Sequence, residues 1–139
     1  MKYLVAALLI MLGSAAAAQA AVVEARIVLS EQHMKVYENG VLRYTWPVST
    51  ARRGKVTPVG SWTAKWTSKN HRSSIYRGAP MPYSIFFNGN YAVHGTDQIK
   101  RLGSPASAGC IRLHPDNARV LFNMALQAGL KNTRITVVR

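Results

Sequence analysis

An Asn-Gly dipeptide between two β-rich runs is the feature that most constrains the fold of this chain. Asn39 and Gly40 suit a two-residue type I′ turn, because both central residues of that turn have positive φ. Residues 34–38 and 41–49 on either side are therefore predicted to form a β-hairpin. Pro47 near the end of the second arm predicts an edge or a bend at that point, since proline cannot donate to a sheet ladder.

Further strands are predicted along most of the chain. Residues 25–30 form an apolar, β-rich run before the hairpin, and residues 60–67 alternate aromatic with small side chains. Residues 82–88 and 91–94 are predicted as two strands joined by a short Asn-Gly-Asn turn. A last strand is expected at residues 133–138. The pattern indicates a mainly β fold.

One helix is predicted, between Pro115 and Gly129. Pro115 suits the first helical turn, and Gly129 suits the position after the last. Apolar residues between them recur at 3–4 spacing, which predicts packing against the core. Residues 68–82 are polar, basic and interrupted by Gly and Pro, so they are predicted as a long connection and a candidate lid.

The first twenty residues have the pattern of an export signal. Lys2 supplies a positive charge, residues 3–12 form a short apolar core, and Ala18-Gln19-Ala20 offers a cleavage site. The apolar run is too short to span a membrane, and no cysteine follows it that could carry a lipid. We therefore expect a signal peptide at residues 1–20, a single domain at residues 21–139, and export without a membrane anchor.

The chain is strongly basic, with 18 Lys and Arg residues against 5 Asp and Glu residues and a formal net charge of +13. The positive electrostatic field of such a chain favours binding of polyanions, including acidic polymers of the cell wall. The basic residues are scattered and are not interleaved with aromatic residues at stacking positions. The pattern therefore argues against nucleic acid as a partner and favours a wall polymer.

Cys110 is the only cysteine in the sequence. A lone cysteine in an exported protein indicates a reactive thiol, whereas the structural alternative is an inert, buried cysteine. His94 lies sixteen positions upstream (110 − 94) and precedes Gly95, just as Cys110 follows Gly109. A base brought beside a thiol lowers its pKa and activates it. The N–H groups of Gly109 and Cys110 are candidates for an oxyanion hole.

These residues together resemble the catalytic motif of the L,D-transpeptidases, the YkuD-type enzymes that cross-link peptidoglycan. The matching residues are His94-Gly95 and, after a loop, Ser107-Ala108-Gly109-Cys110-Ile111-Arg112; Thr57-Pro58-Val59-Gly60 matches a further stretch of the family. The resemblance implies a β-sandwich of mixed sheets with one helix after the motif. The chain departs from the commonest family pattern at Ala108, where many members have a second histidine.

The resemblance also implies roles for individual residues. Cys110 is the implied nucleophile, His94 the base, and the Gly95 carbonyl the group that orients the imidazole. Arg112 shares a face with Cys110 if the segment is extended, and it is expected to bind a carboxylate of the substrate. The remaining candidate substrate-binding residues are Ser107 and Tyr76.

The implied reaction is attack of Cys110 on a peptidoglycan stem tetrapeptide, with release of D-Ala and transfer of the acyl group to a second stem. An L,D-carboxypeptidase or a protein-anchoring enzyme would share the same thioester, so these alternatives stay open. A non-catalytic cationic wall-binding domain is the alternative from another class. Carbapenem sensitivity, a periplasmic or wall location and a monomeric state are also expected.

No metal or other cofactor is predicted. Three histidines and the cysteine are available as ligands, but their spacing matches no zinc signature; they are His71, His94, His114 and Cys110.

Overall fold

The structure is a computed structural model, and it describes residues 21–139 and Gly13. The predicted signal peptide at residues 1–20 therefore lies, apart from Gly13, outside the described residues. Within residues 21–139 the chain forms two β-sheets, one α-helix and two short 3-10 helices. The strands are β1 Val23–Val28, β2 His33–Glu38, β3 Val41–Pro47, β4 Gly60–Thr63, β5 Trp66–Arg72, β6 Pro80–Asn88, β7 Tyr91–Gly95, β8 Ile111–Leu113 and β9 Thr133–Val138; the helix α1 is Pro115–Ala128.

Both sheets are mixed, as the resemblance implied. The five-stranded sheet has the order β3-β2-β1-β9-β4, in which β1 and β9 are parallel and the other pairs are antiparallel. The four-stranded sheet has the order β5-β6-β7-β8, in which β7 and β8 are parallel. The mainly β architecture with one helix after the motif is confirmed.

The predicted hairpin at Asn39-Gly40 is confirmed. Asn39 has φ of 51° and Gly40 has φ of 78°, the positive values that a type I′ turn requires. Pro47 is the last residue of β3, which lies at the edge of its sheet. The edge position explains why the missing N–H of Pro47 is tolerated.

The prediction of one strand at residues 60–67 is wrong, because the chain changes sheets within it. Ala64 N–H donates to Thr133 O of the first sheet, and Lys65 N–H donates to Phe86 O of the second. Trp62 consequently packs toward the core, with its ring 5.3 Å from that of Phe87. The alternating sequence pattern assumed one continuous strand and could not reveal this switch.

The connection predicted at residues 68–82 is also mostly wrong. β5 extends to Arg72 and β6 begins at Pro80, so only residues 73–79 lie outside the strands. Pro80 and Pro82 fit in β6 because β7 pairs only with residues 85–88, which leaves the start of β6 with a neighbour on one side.

The helix begins and ends where the sequence indicated. Its N-cap is His114, whose Nδ1 accepts a hydrogen bond from Asp116 N at 3.1 Å, and Gly129 follows its last residue with φ of 90°. The helix packs against β6 and β7. Its buried side chains include Leu121, Phe122 and Ala125. The final strand at residues 133–138 is confirmed.

One core joins the two sheets and the helix. Ile27 and Ile135 enter it from the first sheet, Phe87 and Ile111 from the second, and Leu121 from the helix. On the opposite face of the second sheet, Met81, Phe86 and Ala92 form a smaller buried cluster with Cys110 packed against it. The second sheet therefore has an outer face, and Cys110 lies on it.

Candidate active site

The parallel pair β7 and β8 brings the motif residues together. Val93 is the register partner of Ile111, and His94 is the register partner of Arg112. Val93 and Ile111 are buried in the main core, so the alternation of side chains directs His94 and Arg112 to the outer face. Burial of the apolar pair thus determines where the polar pair projects.

The predicted nucleophile, base and arginine line one cavity of about 530 Å³. Cys110, His94 and Arg112 contribute to one wall, and Ile75 and Tyr76 contribute from the connection between β5 and β6. Tyr76 is half exposed at this rim. The cavity is of the size that small-molecule and peptide sites usually have.

His94 is held in one orientation and one tautomer. Its Nδ1 lies 2.7 Å from Gly95 O, and a carbonyl can only accept, so Nδ1 carries the proton and Nε2 keeps its lone pair. Burial lowers the pKa of His94 to about 4; the Gly95 carbonyl acts in the opposite direction, and electrostatic interactions with Arg112 and His71 lower the pKa further. At neutral pH the imidazole is therefore an uncharged base.

Cys110 differs from the expectation of a lowered thiol pKa. Burial raises the pKa of the Cys110 thiol above its ordinary value, although the Ala92 N–H and the Arg112 charge both act to lower it. A buried thiol loses the hydration that a thiolate needs, and here that loss is the larger effect. The resting pair is consequently a neutral thiol and a neutral imidazole.

The turn that carries Cys110 requires glycine at position 109. Gly109 has φ of 141°, and a Cβ there would lie 2.7 Å from a Tyr91 ring carbon and 2.8 Å from Val56 O. The contact with a backbone oxygen cannot be relieved by a side-chain rotation. Close packing of two loops therefore sets the direction of the backbone that precedes Cys110, the predicted nucleophile.

Gly109 and Ser107, which the sequence suggested for the oxyanion hole and for substrate binding, form hydrogen bonds within this turn. Gly109 N–H donates to Ser107 Oγ at 3.0 Å, so it is not free to bind an oxyanion as expected. Ser107 Oγ in turn donates to Cys110 O at 2.6 Å, so this buried hydroxyl stabilises the turn. The Cys110 N–H meets no acceptor within residues 21–139, which leaves it as the available donor.

Thr57 is a residue of the site whose role the sequence did not reveal. Its buried hydroxyl donates to Gly109 O at 2.8 Å and accepts from Ala51 N–H at 3.0 Å. It thereby joins the loop before β4 to the turn that carries Cys110. The Thr-Pro-x-Gly stretch was the only signal, and it marked the position without indicating the contact.

Both the backbone and the side chain of Arg112 form hydrogen bonds. Its N–H and C=O pair with Ser49 at 2.9 and 3.0 Å, and its Nη1 donates to Gln98 Oε1 at 3.1 Å. Arg52 also lines the cavity. Neither Gln98 nor Arg52 stood out in the sequence, because their distance along the chain gives no sign that they share a cavity with Arg112.

The histidines do not assemble a metal site in the described part of the chain. Residues 21–139 contain no group of three or more His, Cys, Asp or Glu side chains placed to hold a metal ion. His71 instead packs against Trp66 and Phe86, and His114 caps the helix. None of the helices described has the length and hydrophobicity that crossing a membrane requires.

The family model for the L,D-transpeptidase catalytic domain, YkuD, matches residues 22–137. The chain belongs to the YkuD-type L,D-transpeptidase family. It is 28% identical over 125 residues to the probable L,D-transpeptidase YbiS of Escherichia coli K12, an alignment that covers 69% of this chain and 40% of that protein. It is 32% identical over 89 residues to the probable L,D-transpeptidase ErfK/SrfK of the same strain, over 55% of this chain and 27% of that protein. The alignments thus span well under half the length of these relatives.

Solved structures of L,D-transpeptidases share the fold of this YkuD-type domain. The structure of LdtMt1 in complex with imipenem superposes with a TM-score of 0.75 at 24% identity, covering 85% of this chain and 59% of that one. An L,D-transpeptidase from Mycobacterium tuberculosis H37Rv gives a TM-score of 0.76 at 22% identity, covering 86% and 58%. An L,D-transpeptidase from Mycobacterium smegmatis gives a TM-score of 0.75 at 22% identity, covering 86% of this chain and 59% of that chain.

Proposed function

We propose that this protein is an exported cysteine acyltransferase that cross-links peptidoglycan stem peptides. The observation that carries the proposal is the neutral His94 imidazole, oriented by Gly95 O at 2.7 Å, in the same cavity as the lone Cys110. Family membership supports the reaction class. His94 belongs to β7 and Cys110 directly precedes β8, so their spacing depends on the parallel pairing of these two strands.

In the proposed acylation, Cys110 Sγ attacks the carbonyl carbon between the third stem residue and D-Ala. His94 Nε2 takes the thiol proton as the S–C bond forms, because a neutral thiol must lose its proton to become nucleophilic. The C–N bond then breaks, and the same proton passes from His94 to the amine of the departing D-Ala. A thioester on Cys110 is left.

Charge that develops on the carbonyl oxygen is proposed to meet the Cys110 N–H. A single oxyanion donor of this type is typically worth about 3 kcal/mol of transition-state stabilisation. Arg112 supplies a guanidinium for a substrate carboxylate, and Tyr76 supplies an aromatic ring at the rim. Ser107 and Gly109 act on substrate only through the turn that they hold.

In the second step, an amine of another stem attacks the thioester and regenerates the thiol. Water as acceptor would make the protein an L,D-carboxypeptidase, and an amine of an envelope protein would make it an anchoring enzyme. Because a carbapenem is also an acylating agent for a thiol, we propose that such a compound acylates Cys110. The structure of LdtMt1 is a complex with imipenem, which is consistent with this proposal.

The location follows from the N-terminal residues and the charge. We propose that residues 1–20 are a cleaved signal peptide and that the protein acts as a monomer in the periplasm or the cell wall. Without Lys2, 17 Lys and Arg residues (18 − 1) stand against 5 Asp and Glu residues, and the resulting formal net charge of +12 would attract the protein to the anionic wall polymer.

Incubation of the purified protein with disaccharide-tetrapeptide, followed by mass spectrometry, tests the proposal. A cross-linked dimer that is absent with Cys110→Ala would support transpeptidation. Tripeptide and free D-Ala without dimer would favour the carboxypeptidase or a missing protein acceptor. Unchanged tetrapeptide and no acyl adduct on Cys110 would reject catalysis and favour the cationic wall-binding domain.

A further inference from the structure

The outer face of the second sheet carries a row of cross-strand neighbours that leads to Cys110. Trp66 is the register partner of Phe86, and Phe86 is the partner of Ala92. Cys110, which directly precedes β8, packs against the cluster that contains Ala92. Cross-strand partners project to the same face of a sheet. Phe86 and Ala92 belong to the small buried cluster against which Cys110 packs. Trp66 thus lies at the sheet edge, at the far end of a row that begins at the proposed nucleophile.

Neighbouring rings fix the orientation of Trp66. Its ring stacks on Phe86 with a centroid distance of 3.8 Å and an interplanar angle of 3°. The His71 ring approaches Trp66 edge-on at 5.7 Å and Phe86 edge-on at 4.9 Å. Despite these contacts, 46% of Trp66 is exposed. Because Phe86 covers one face of the indole, the exposed area is on the other face and the rim.

An oriented indole with an open face is a stacking surface for a ligand ring. The face of an aromatic ring carries the negative part of its quadrupole. One side of a pyranose ring presents polarised C–H groups with partial positive charge, which complement that face. Trp66 does not line the cavity that holds Cys110, His94 and Arg112. It is therefore placed to contact a part of the substrate that lies beyond the reacting peptide.

We propose that Trp66 stacks on the sugar ring that carries the stem peptide, while Cys110 attacks the third stem residue. This inference rests on the proposed function and adds a glycan subsite to it. The enzyme would then distinguish a stem attached to its glycan from the same peptide alone.

The spacing along the sheet is consistent with one substrate reaching both places. Three strand-to-strand steps separate Cys110 from Trp66, and steps of about 4.8 Å give roughly 14 Å. Three extended residues between the scissile carbonyl and the sugar span about 10 Å. The acyl linker that joins the first stem residue to the sugar ring supplies further reach.

The test compares two substrates with the intact protein and with Trp66→Ala. One substrate is disaccharide-tetrapeptide, and the other is the same tetrapeptide with an acetyl cap in place of the sugar. Release of D-Ala is measured to give kcat/KM. We expect Trp66→Ala to lose about tenfold in kcat/KM on the disaccharide substrate, mainly through KM, as one aromatic stacking contact would give. On the capped tetrapeptide the variant should match the unaltered protein. Trp66→Phe, which keeps an aromatic face, should recover most of the loss.

Three outcomes would overturn the inference. If Trp66→Ala lowered kcat/KM equally on both substrates, Trp66 would only support the fold. If it lowered kcat/KM on neither substrate, the exposed face of the indole would not be used. An unaltered protein that turns over both substrates equally well would exclude a glycan subsite. Failure of the proposed function is distinct from all of these, because the unaltered protein would then release D-Ala from neither substrate.

Discussion

Thr57 and Gly109 are joined by a buried hydrogen bond of 2.8 Å between the Thr57 hydroxyl and the Gly109 carbonyl. The same hydroxyl accepts from Ala51 N–H at 3.0 Å, so one side chain connects two loops that approach the cavity from different parts of the chain. Gly109 immediately precedes the proposed nucleophile. Thr57 does not line the cavity, so we expect it to position Cys110 through Gly109.

Replacing Thr57 by Val should remove both hydrogen bonds while nearly preserving side-chain volume. Two buried groups would lose their partner, so the free energy of unfolding should fall by about 1–3 kcal/mol. We expect kcat to fall and KM to stay near its original value, because the nucleophile and not the binding surface is displaced. Thr57→Ser keeps the hydroxyl and should restore kcat. Urea unfolding and D-Ala release measure the two effects; equal kcat for Thr57→Val and the unaltered protein would contradict a positioning role.

Gly109→Ala should be more damaging than its size suggests. The added Cβ would lie 2.8 Å from Val56 O in a backbone conformation with φ of 141°, so the turn must move. We expect acylation of Cys110 to be at least about a hundredfold slower, since a displacement of roughly 1 Å at a reacting group can have that effect. Intact-protein mass spectrometry after addition of a carbapenem measures the acylation rate. Gly103→Ala is a matched control, because Gly103 also has positive φ but a Cβ there meets nothing within 4 Å. Similar acylation rates for the two variants would contradict the argument.

The Cys110 thiol should react slowly with iodoacetamide at neutral pH. Burial raises the pKa of Cys110 above its ordinary value of 9.0, so little thiolate exists at pH 7. The alkylation rate should keep rising with pH from pH 5 through pH 9, because the thiolate fraction grows steadily below the thiol pKa, with no plateau between pH 5 and 7. A plateau in that range, lost in His94→Gln, would instead indicate a preformed thiolate and imidazolium pair. Alkylation rates across pH 5–10 decide between the two.

His94 should make the fold less stable in acid. Its pKa is about 4 in the folded protein against an ordinary 6.5, so the unfolded chain binds more protons between those values. The stabilisation is complete above pH 6.5 and is lost as the pH falls toward 4, a window worth roughly 3 kcal/mol. Urea unfolding of the unaltered protein and of His94→Gln at pH 7 and pH 4 separates this effect from that of the carboxylates. An identical pH dependence for the two proteins would show that burial does not affect the His94 pKa as described.

Arg112→Lys should weaken turnover even though it keeps the charge. An ammonium cannot donate in the fork geometry of a guanidinium, and loss of a charged hydrogen bond is worth about 1.5–3 kcal/mol. We therefore expect kcat/KM for disaccharide-tetrapeptide to fall by about tenfold to a hundredfold. Arg134→Lys is a suitable control, because Arg134 bonds to Ser61 on the first sheet and does not line the cavity. A change of similar size in both variants would mean that the effect is not local to the site.

The sequence predicted those features that short-range patterns determine. Asn39-Gly40 fixed the first hairpin, and Pro115 and Gly129 marked the ends of the helix, because each of these residues restricts its own backbone. The change of sheet between Ala64 and Lys65 could not be predicted, since it depends on hydrogen bonds to strands that lie far along the chain. The same limit applied to Thr57 and Gln98, whose partners are set by tertiary contacts.

The pKa shifts in the site could not be predicted from the sequence either. The motif indicated a thiol and a base, and a base beside a thiol favours a lowered pKa. The structure shows burial to be the larger influence on both Cys110 and His94. Burial depends on how β7, β8 and the surrounding loops pack, and no local pattern encodes it.

The position of β9 has a consequence for how this domain is made. β9 lies between β1 and β4 and pairs with both, although it comes last of the strands in the described part of the chain. β1 therefore lacks one of its two neighbours until residues 133–138 have been made. Pairing between segments so far apart along the chain slows folding. Until then, β1 and β4 each have one edge that lacks its partner in this sheet. A chaperone that binds extended segments could bind these unpaired edges. A chain truncated before Thr133 should aggregate as well as lose activity, because its strand edges stay unpaired.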